Sequence, residues 1–283
     1  MIAIGQERKV VGVSGGKDST AVCLHLLENG YTTDDFDRVF LDTGWEHSET
    51  YAYLDELEST IGKIIRLKLN VGVKEEDIDL VKSFEDRLGF TSPFVRLVFH
   101  YDSFPSSIVK WCTRRLKIEP LQKYYDGLDY DVVNVVGIRK EESRRRSKMT
   151  ELEWNDGFDC WTWRPLIDWT FDDVIRIHKR FNLRPNHLYL TGSHRVGCFP
   201  CINANKRAIN NLDDTRVSII KDLEEVISER RKQKEKKPAS FFKNATIEEA
   251  VQWSKTARGG KQFFLFEKEE PTCVKWGMCG VRS

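Results

Sequence analysis

Through about residue 202 the chain alternates short continuous apolar runs with amphipathic stretches of helical period. "KVVGVS", "DRVFLDTG", "KIIRLKLN" and "DVVNVVGIR" read as strands. "TAVCLHLLEN", ending near Gly30, reads as a helix. So do "SETYAYLDELESTIG", with Ser48 as its N-cap, and "TFDDVIRIHKRFN", with Thr170 as its cap. Strands that are apolar throughout, each followed by a helix, predict a sheet covered on both faces. The expected fold class is α/β, doubly wound and mostly parallel. Residues 71–120 break the alternation; within them "SFPSSIVKWCTRRLKIEPL" passes from turn residues into a helix bearing Cys112 and several cations. After about residue 205 the pattern changes to charged helices, and "ERRKQKEKK" reads as a solvated helix face. "FFLFEKEEPTCVKWGMCGVRS" reads as a short strand and a Cys- and Gly-rich tail returning to the main body. The expected organisation is an α/β domain over 1–205 and a helical, Cys-containing extension over 206–283.

Composition narrows the setting. In 283 residues, 40% hydrophobic, no apolar run approaches the ~18 residues of a membrane span. "MIAIGQERKV" has no signal-peptide pattern, so a cytoplasmic protein without a membrane partner is expected. A formal charge of +1 argues neither for nor against nucleic acid, which would have to meet a local patch. Seven cysteines without a secretion signal point to metal or reactive thiols rather than disulfides. Cys23 falls in the apolar pattern of the first helix and reads as a small buried hydrophobe. Cys112, Cys160, Cys198, Cys201, Cys273 and Cys279 are left to be explained.

Ligands of doubly wound sheets gather at the carboxyl ends of the strands. Ser14-Gly15-Gly16-Lys17-Asp18-Ser19 occupies that place after the first strand. The glycines permit close backbone approach, and the next helix offers unpaired N–H groups and its positive dipole end to an anion. Lys17 adds charge, and the Ser14 and Ser19 hydroxyls can donate to phosphate oxygens. The stretch resembles the SGGxDS motif of the pyrophosphate-loop (PP-loop) superfamily, whose fold is adenine nucleotide alpha hydrolase-like. That resemblance implies ATP, with Mg²⁺, split between its α and β phosphates to leave AMP on a substrate.

Three more blocks resemble the phosphoadenosine-phosphosulfate (PAPS) reductase family. "LDTGWEHSETYAYL" is similar to its DTG-x-E…ET block and implies Asp42, Thr43 and Gly44 near nucleotide. There the acid could meet a ribose hydroxyl, an adenine amino group or Mg²⁺. "VVGIRKEESRRR" resembles its G-x-R…ES segment, placing Gly137 and Arg139 at another strand end, with Glu142, Ser143 and Arg146 in the next turn. "WRPLIDWTFDDV" resembles PL-x-DWT, where Asp168 and Trp169 fix the start of a helix. The resemblance covers about residues 9–202.

Cys198-Phe-Pro-Cys201 alone is open to zinc, an iron–sulfur site or a redox dithiol. Cys112, in "WCTRRLKIEPL", resembles the segment that supplies cluster cysteines in iron–sulfur members of the family. Trp111 replaces the first cysteine of their CC pair, so Cys112, Cys198 and Cys201 match three of four ligands. The resemblance implies a [4Fe-4S] cluster whose fourth ligand must be Cys160, Cys273 or Cys279; the glycines beside Cys279, which permit close folding, favour it over Cys273, and zinc or unligated thiols are the competing readings. "WCTRRLK" followed by "GCFPC" is also similar to the sulfur-insertion enzyme of DNA phosphorothioation. Cys279-Gly280 resembles the near-terminal Cys-Gly of sulfonucleotide reductases, but Val281-Arg282 follows where those enzymes have an apolar residue and His.

Three functions compete. In the first, an ATP pyrophosphatase adenylates an oxygen of nucleic acid (DNA or tRNA) or of a small molecule, and sulfur displaces AMP. Lys17, Asp18 and Arg139 act at the nucleotide, and a cysteine desulfurase or reductant protein is the expected partner. Lys110, Arg114, Arg115 and Lys117, around Cys112, could hold a nucleic-acid backbone or nucleotide phosphates. In the second, a PAPS or adenosine-phosphosulfate (APS) reductase releases sulfite through Cys279. The third is a nucleotide- or redox-sensing regulator without turnover. The Lys-containing SGGKDS favours the first, because a sulfonucleotide has no β–γ pyrophosphate to hold.

Overall fold

The structure is a computed structural model that describes residues 7–256 and Trp276. Cys273, Cys279 and the strand expected at "FFLFE" lie outside the described residues. Strands β1 (Arg8–Gly12), β2 (Phe36–Asp42), β3 (Ile65–Lys68), β4 (Val132–Val135), β5 (Leu152–Asn155) and β6 (Cys160–Trp163) form a sheet in the order β3-β2-β1-β4-β6-β5. All neighbours pair in parallel except β5, which runs antiparallel to β6. The β5–β6 hairpin went unread in the sequence because its short strands mix charged, polar and aromatic residues.

Helix α1 (Lys17–Glu28) begins earlier than its apolar run, directly on the loop lysine. α1, α2 (Ser48–Ile61) and α7 (Phe171–Arg180) cover one face, where Val11, Phe40, Val133 and Val135 meet Leu24, Leu54 and Val174. On the other face Val10, Val39 and Val132 meet Tyr125. Tyr125 belongs to a continuous helical stretch of α5 (Trp111–Thr113), a π-helical turn (Arg114–Ile118) and α6 (Glu119–Asp126). Cys23 is fully buried, as expected, and burial pushes its thiol up to about 12. Thr170 caps α7 in a capping box with Asp173. For α2 the cap is His47, whose ring accepts from the Glu49 N–H, and not Ser48. The imidazole does the work expected of the hydroxyl.

The irregular insertion and the extension share one core. α3 (Ile78–Leu88) and α4 (Pro93–Tyr101) precede the site helices, whereas α8 (Lys206–Asn210), α9 (Asp214–Lys232) and α10 (Ile247–Lys255) follow the sheet. Phe84, Phe94 and Val98 pack with Ile220, Leu223 and Phe241 into a single apolar cluster. "ERRKQKEKK" also faces inward in part. Arg230 pairs with Asp77 and, at 2.6 Å, with Asp102, and Lys234 also pairs with Asp102. No helix among the described residues is long and apolar enough to cross a membrane.

The strand order reverses between β1 and β4, so the crevice of this sheet opens at their carboxyl ends. Both segments singled out for phosphate binding, Ser14–Ser19 and Gly137–Arg139, leave the sheet there.

Arg230→Ala strips a partner from two carboxylates, Asp77 and Asp102, that are only 4% and 8% exposed. Denaturant titration at neutral pH is expected to show a loss of about 3 kcal/mol. Burial opposes the Asp102 charge, but Lys234 and Arg230 hold its pKa below the ordinary carboxylate value. A depressed folded pKa stabilises above the unfolded value, so the deficit of the variant is full above about pH 4 and shrinks as pH falls further.

Candidate functional site

The loop after β1 is built to leave a helix start bare. Gly15 has φ +70°, and a Cβ there would stand 2.9 Å from the Thr50 side chain. Gly16 caps α1 without a side chain, so the first N–H groups of the helix keep no internal acceptor. Of these, the Lys17 N–H donates to the Tyr189 hydroxyl at 3.2 Å. The serines brace the turn: the Ser14 N–H donates to Ser19 Oγ at 3.1 Å, and the Ser19 hydroxyl donates to Gly16 O at 3.0 Å.

A chain of charges crosses the crevice. Lys17 Nζ lies 2.9 Å from Asp18 Oδ2, and Arg139 Nε lies 2.7 Å from Asp18 Oδ1. Arg139 also reaches Glu141 at 2.5 Å and the Trp169 carbonyl at 3.4 Å, leaving it 3% exposed. Burial works against the Lys17 charge, yet Tyr189 and Asp18 more than offset it, and its pKa lies above the ordinary lysine value. Burial likewise opposes the Asp18 charge, but Lys17 and Arg139 hold its carboxyl below the usual range. The Lys17 ammonium also lies 5.5 Å from the Phe171 ring centre and 5.2 Å from that of Tyr189. Gly137 allows this closeness, since a Cβ there would stand 2.6 Å from the Asp18 carbonyl oxygen.

Asp42, Thr43 and Gly44 form the next turn, and their polar groups are engaged within the protein. Asp42 accepts from the Gly44 N–H at 2.8 Å and the Tyr51 hydroxyl at 2.7 Å, and pairs with Lys68 at 3.0 Å. The Thr43 hydroxyl donates to Glu46 at 2.7 Å. Gly44 has φ +64°, and a Cβ there would fall 2.5 Å from Pro93. Of the other flagged residues, Glu142 pairs with Arg146, and exposed Asp168 pairs with Lys140 at 2.6 Å.

The C-x-x-C segment is fastened to this turn. Phe199 N–H donates to Trp45 O at 2.8 Å, the Trp45 indole N–H donates to Pro200 O at 3.1 Å, and Cys198 Sγ lies 3.9 Å from Glu46 Oε1. Cys112, Cys198 and Cys201 all act electrostatically on Lys117. The attraction of Cys198 in its thiolate form is the largest cause raising that ammonium above the ordinary lysine value. Burial pushes the Cys198 thiol up to about 11 and also raises Glu46, which is 3% exposed. Among the described residues no three His, Cys, Asp or Glu side chains stand at metal-binding spacing. The donor chemistry nonetheless fits a thiolate-held centre: three soft sulfurs share one locality with a cation suited to offset the negative charge of such a site. Cys160 is not part of it. It lies at the opposite, amino-terminal end of β6, packed with Tyr125 and Val132, which removes it as a fourth ligand.

Several side chains of the site were not singled out from the sequence: Glu46, Asn186, Tyr189 and Arg216; Lys117, expected to hold a nucleic-acid backbone or nucleotide phosphates, lies instead among the three thiols and Glu46. Asn186 donates to Gly15 O at 3.3 Å and is fully buried, so residues 186–201 wall the loop and then supply the thiols. Arg216 of α9 lies 4.5 Å from the Trp45 ring centre and donates to Glu46 O at 3.1 Å. An Asn and a Tyr in an irregular stretch before "GCFPC" were the available signal for two of these.

A mostly parallel sheet with a bare, lysine-bearing loop at its switch point is an α/β fold of the PP-loop type. Residues 8–204 match the phosphoadenosine phosphosulfate reductase domain, and the chain belongs to that family. A 37.8 kDa protein of Escherichia phage 186 is 29% identical, over 95% of this chain and 96% of its own length. The adenosine 5′-phosphosulfate reductase of Oceanobacillus iheyensis is 29% identical over 60% of this chain, which spans 62% of that enzyme. A crystal structure of PAPS reductase from Candida auris, a phosphate complex, aligns over 70% of this chain and 84% of its own with TM-score 0.51 and 17% identity, a likeness of fold.

Gly137→Ala places a methyl group against backbone that no side-chain rotation can clear. A loss of about 2 kcal/mol in denaturant titration is expected. Gly127→Ala, whose Cβ would meet its nearest atoms at 3.5 Å, serves as the tolerated control.

Proposed function

We propose that this protein is an ATP-dependent sulfur-transfer enzyme, adenylating its substrate with release of pyrophosphate. The observation that carries the reading is Lys17, a cation kept charged inside the crevice at the uncapped start of α1. A sulfonucleotide carries no β–γ pyrophosphate and offers this arrangement fewer anionic oxygens than the triphosphate of ATP. The acceptor oxygen attacks the α-phosphorus, the α–β bond breaks, and negative charge collects on the departing pyrophosphate. Lys17 and the N–H groups of α1 stabilise that charge where it develops. Asp18 and Arg139 position Lys17 and the loop, since their charges are spent on each other and on Glu141. Mg²⁺ accompanies the phosphates.

Cys112, Cys198 and Cys201, with a fourth thiol from Cys273 or Cys279, would hold the [4Fe-4S] cluster. Such a centre would supply sulfur or electrons. Lys117 balances its charge, and Arg216 and Trp45 fix the turn that carries Cys198. Nucleic acid as acceptor is supported by Lys110 and Arg114, which are exposed on either side of Cys112. A cysteine desulfurase or reductant protein is the expected partner, and the cytoplasm the expected location.

A second reading is favoured by one comparison, the likeness to a reductase of adenosine 5′-phosphosulfate. In it Cys279 attacks the sulfate sulfur and AMP leaves, and a thiol reductant then displaces sulfite from the thiosulfonate by forming a disulfide with Cys279. Protein purified without oxygen separates the two. Pyrophosphate release from ATP, falling at least about a hundredfold in Lys17→Ala, supports sulfur transfer. Sulfite release from APS or PAPS that disappears in Cys279→Ser, with ATP untouched, overturns it.

A further inference from the structure

Trp276, three residues from both Cys273 and Cys279 in the sequence, is 1% exposed. It packs with Ile175, Tyr189 and Val196 in a small apolar cluster. Its ring centre lies 5.1 Å from that of His178 and 6.3 Å from that of Phe171, edge-on to both. Phe171 and Tyr189 are also the two rings against which the Lys17 ammonium rests. An indole supplied from beyond the helical extension thus backs the aromatic wall of the phosphate loop. The contact is one of shape: Trp276 Nε1 and His178 Nε2 are both buried without a hydrogen-bond partner among the described residues. His178 donates through Nδ1 to the Val174 carbonyl at 2.8 Å, and burial keeps its imidazole neutral, with a pKa lowered to about 4.

We infer that Trp276 is a positioning residue for polyphosphate binding: it holds Phe171 and Tyr189 as the wall that keeps the Lys17 ammonium in place at the loop. The inference rests on the reading of that loop as an ATP site. A flexible lysine must be ordered before it can meet phosphate, and a wall that orders it beforehand removes that cost from binding. Coupling of this kind is reciprocal, so polyphosphate at the loop also stabilises the seating of Trp276. The effect is confined to ligands that reach Lys17. AMP, without β and γ phosphates, does not.

The test is calorimetric titration of the full-length protein with inorganic pyrophosphate, ATP and AMP, for the wild type, Trp276→Ala and Trp276→Phe. Trp276→Ala is expected to weaken pyrophosphate and ATP about tenfold while AMP binding stays within about twofold. Trp276→Phe is expected to restore most of the loss, because the indole N–H is unused. Equal affinities in wild type and Trp276→Ala overturn the inference, and so does a loss of the same size for AMP. A wild type that binds neither pyrophosphate nor ATP overturns the ATP reading itself. A second measurement needs no variant: trypsin cleavage after Lys275, mapped by mass, is expected to slow at least about threefold when pyrophosphate saturates the protein. An unchanged rate overturns the coupling.

Discussion

A lysine charge inside a crevice is the constraint on which this structure turns. Burial alone would lower the pKa of Lys17. Asp18, Tyr189 and Phe171 surround it so that the cation persists, and each needs support of its own. Asp18 is held by Arg139 in the loop after β4, which requires Gly137 to bring that loop against the first turn of α1. Tyr189 is set in the short 3-10 turn that follows buried Asn186. The sheet contributes the place, since β1 and β4 are neighbours across the reversal of strand order.

The segment that steadies the loop continues into Cys198 and Cys201, so nucleotide and thiol regions are one piece of chain apart. A second link runs through polar groups. The Tyr51 hydroxyl lies 2.7 Å from Asp42 and 3.1 Å from Glu46, and Glu46 in turn approaches Cys198. The helical lobe then closes on this turn, with Arg216 laid over Trp45 and Trp45 stacked on Phe94 at 4.6 Å. The insertion and the extension are therefore parts of the site's foundation, and likeness to the phage protein runs through them as well as through the family domain.

What was legible in the sequence was local. The loop announced itself because glycines, Lys17 and two serines stand together where a strand meets a helix. The parallel strands were legible because both of their faces are buried, and Thr170 because its capping box is complete within four residues. Tertiary partners were not legible. Lys117 reads as one cation among several until folding brings Cys198 and Cys201 to it, and Tyr189 reads as an ordinary aromatic until its hydroxyl meets Lys17. Arg230 and Lys234 read as solvated because Asp77 and Asp102, which pair with them, lie far upstream. Placement of Cys160 needed the strand direction, which shows it at the wrong end of β6.

The central claim is that this loop holds the pyrophosphate end of ATP. Phosphorus magnetic resonance of ATP titrated with the oxygen-free protein tests it most directly. The account predicts that the β and γ resonances shift and broaden on binding, and that the same changes are lost in Lys17→Ala. Binding of adenosine 5′-phosphosulfate with no change in any ATP resonance would contradict it.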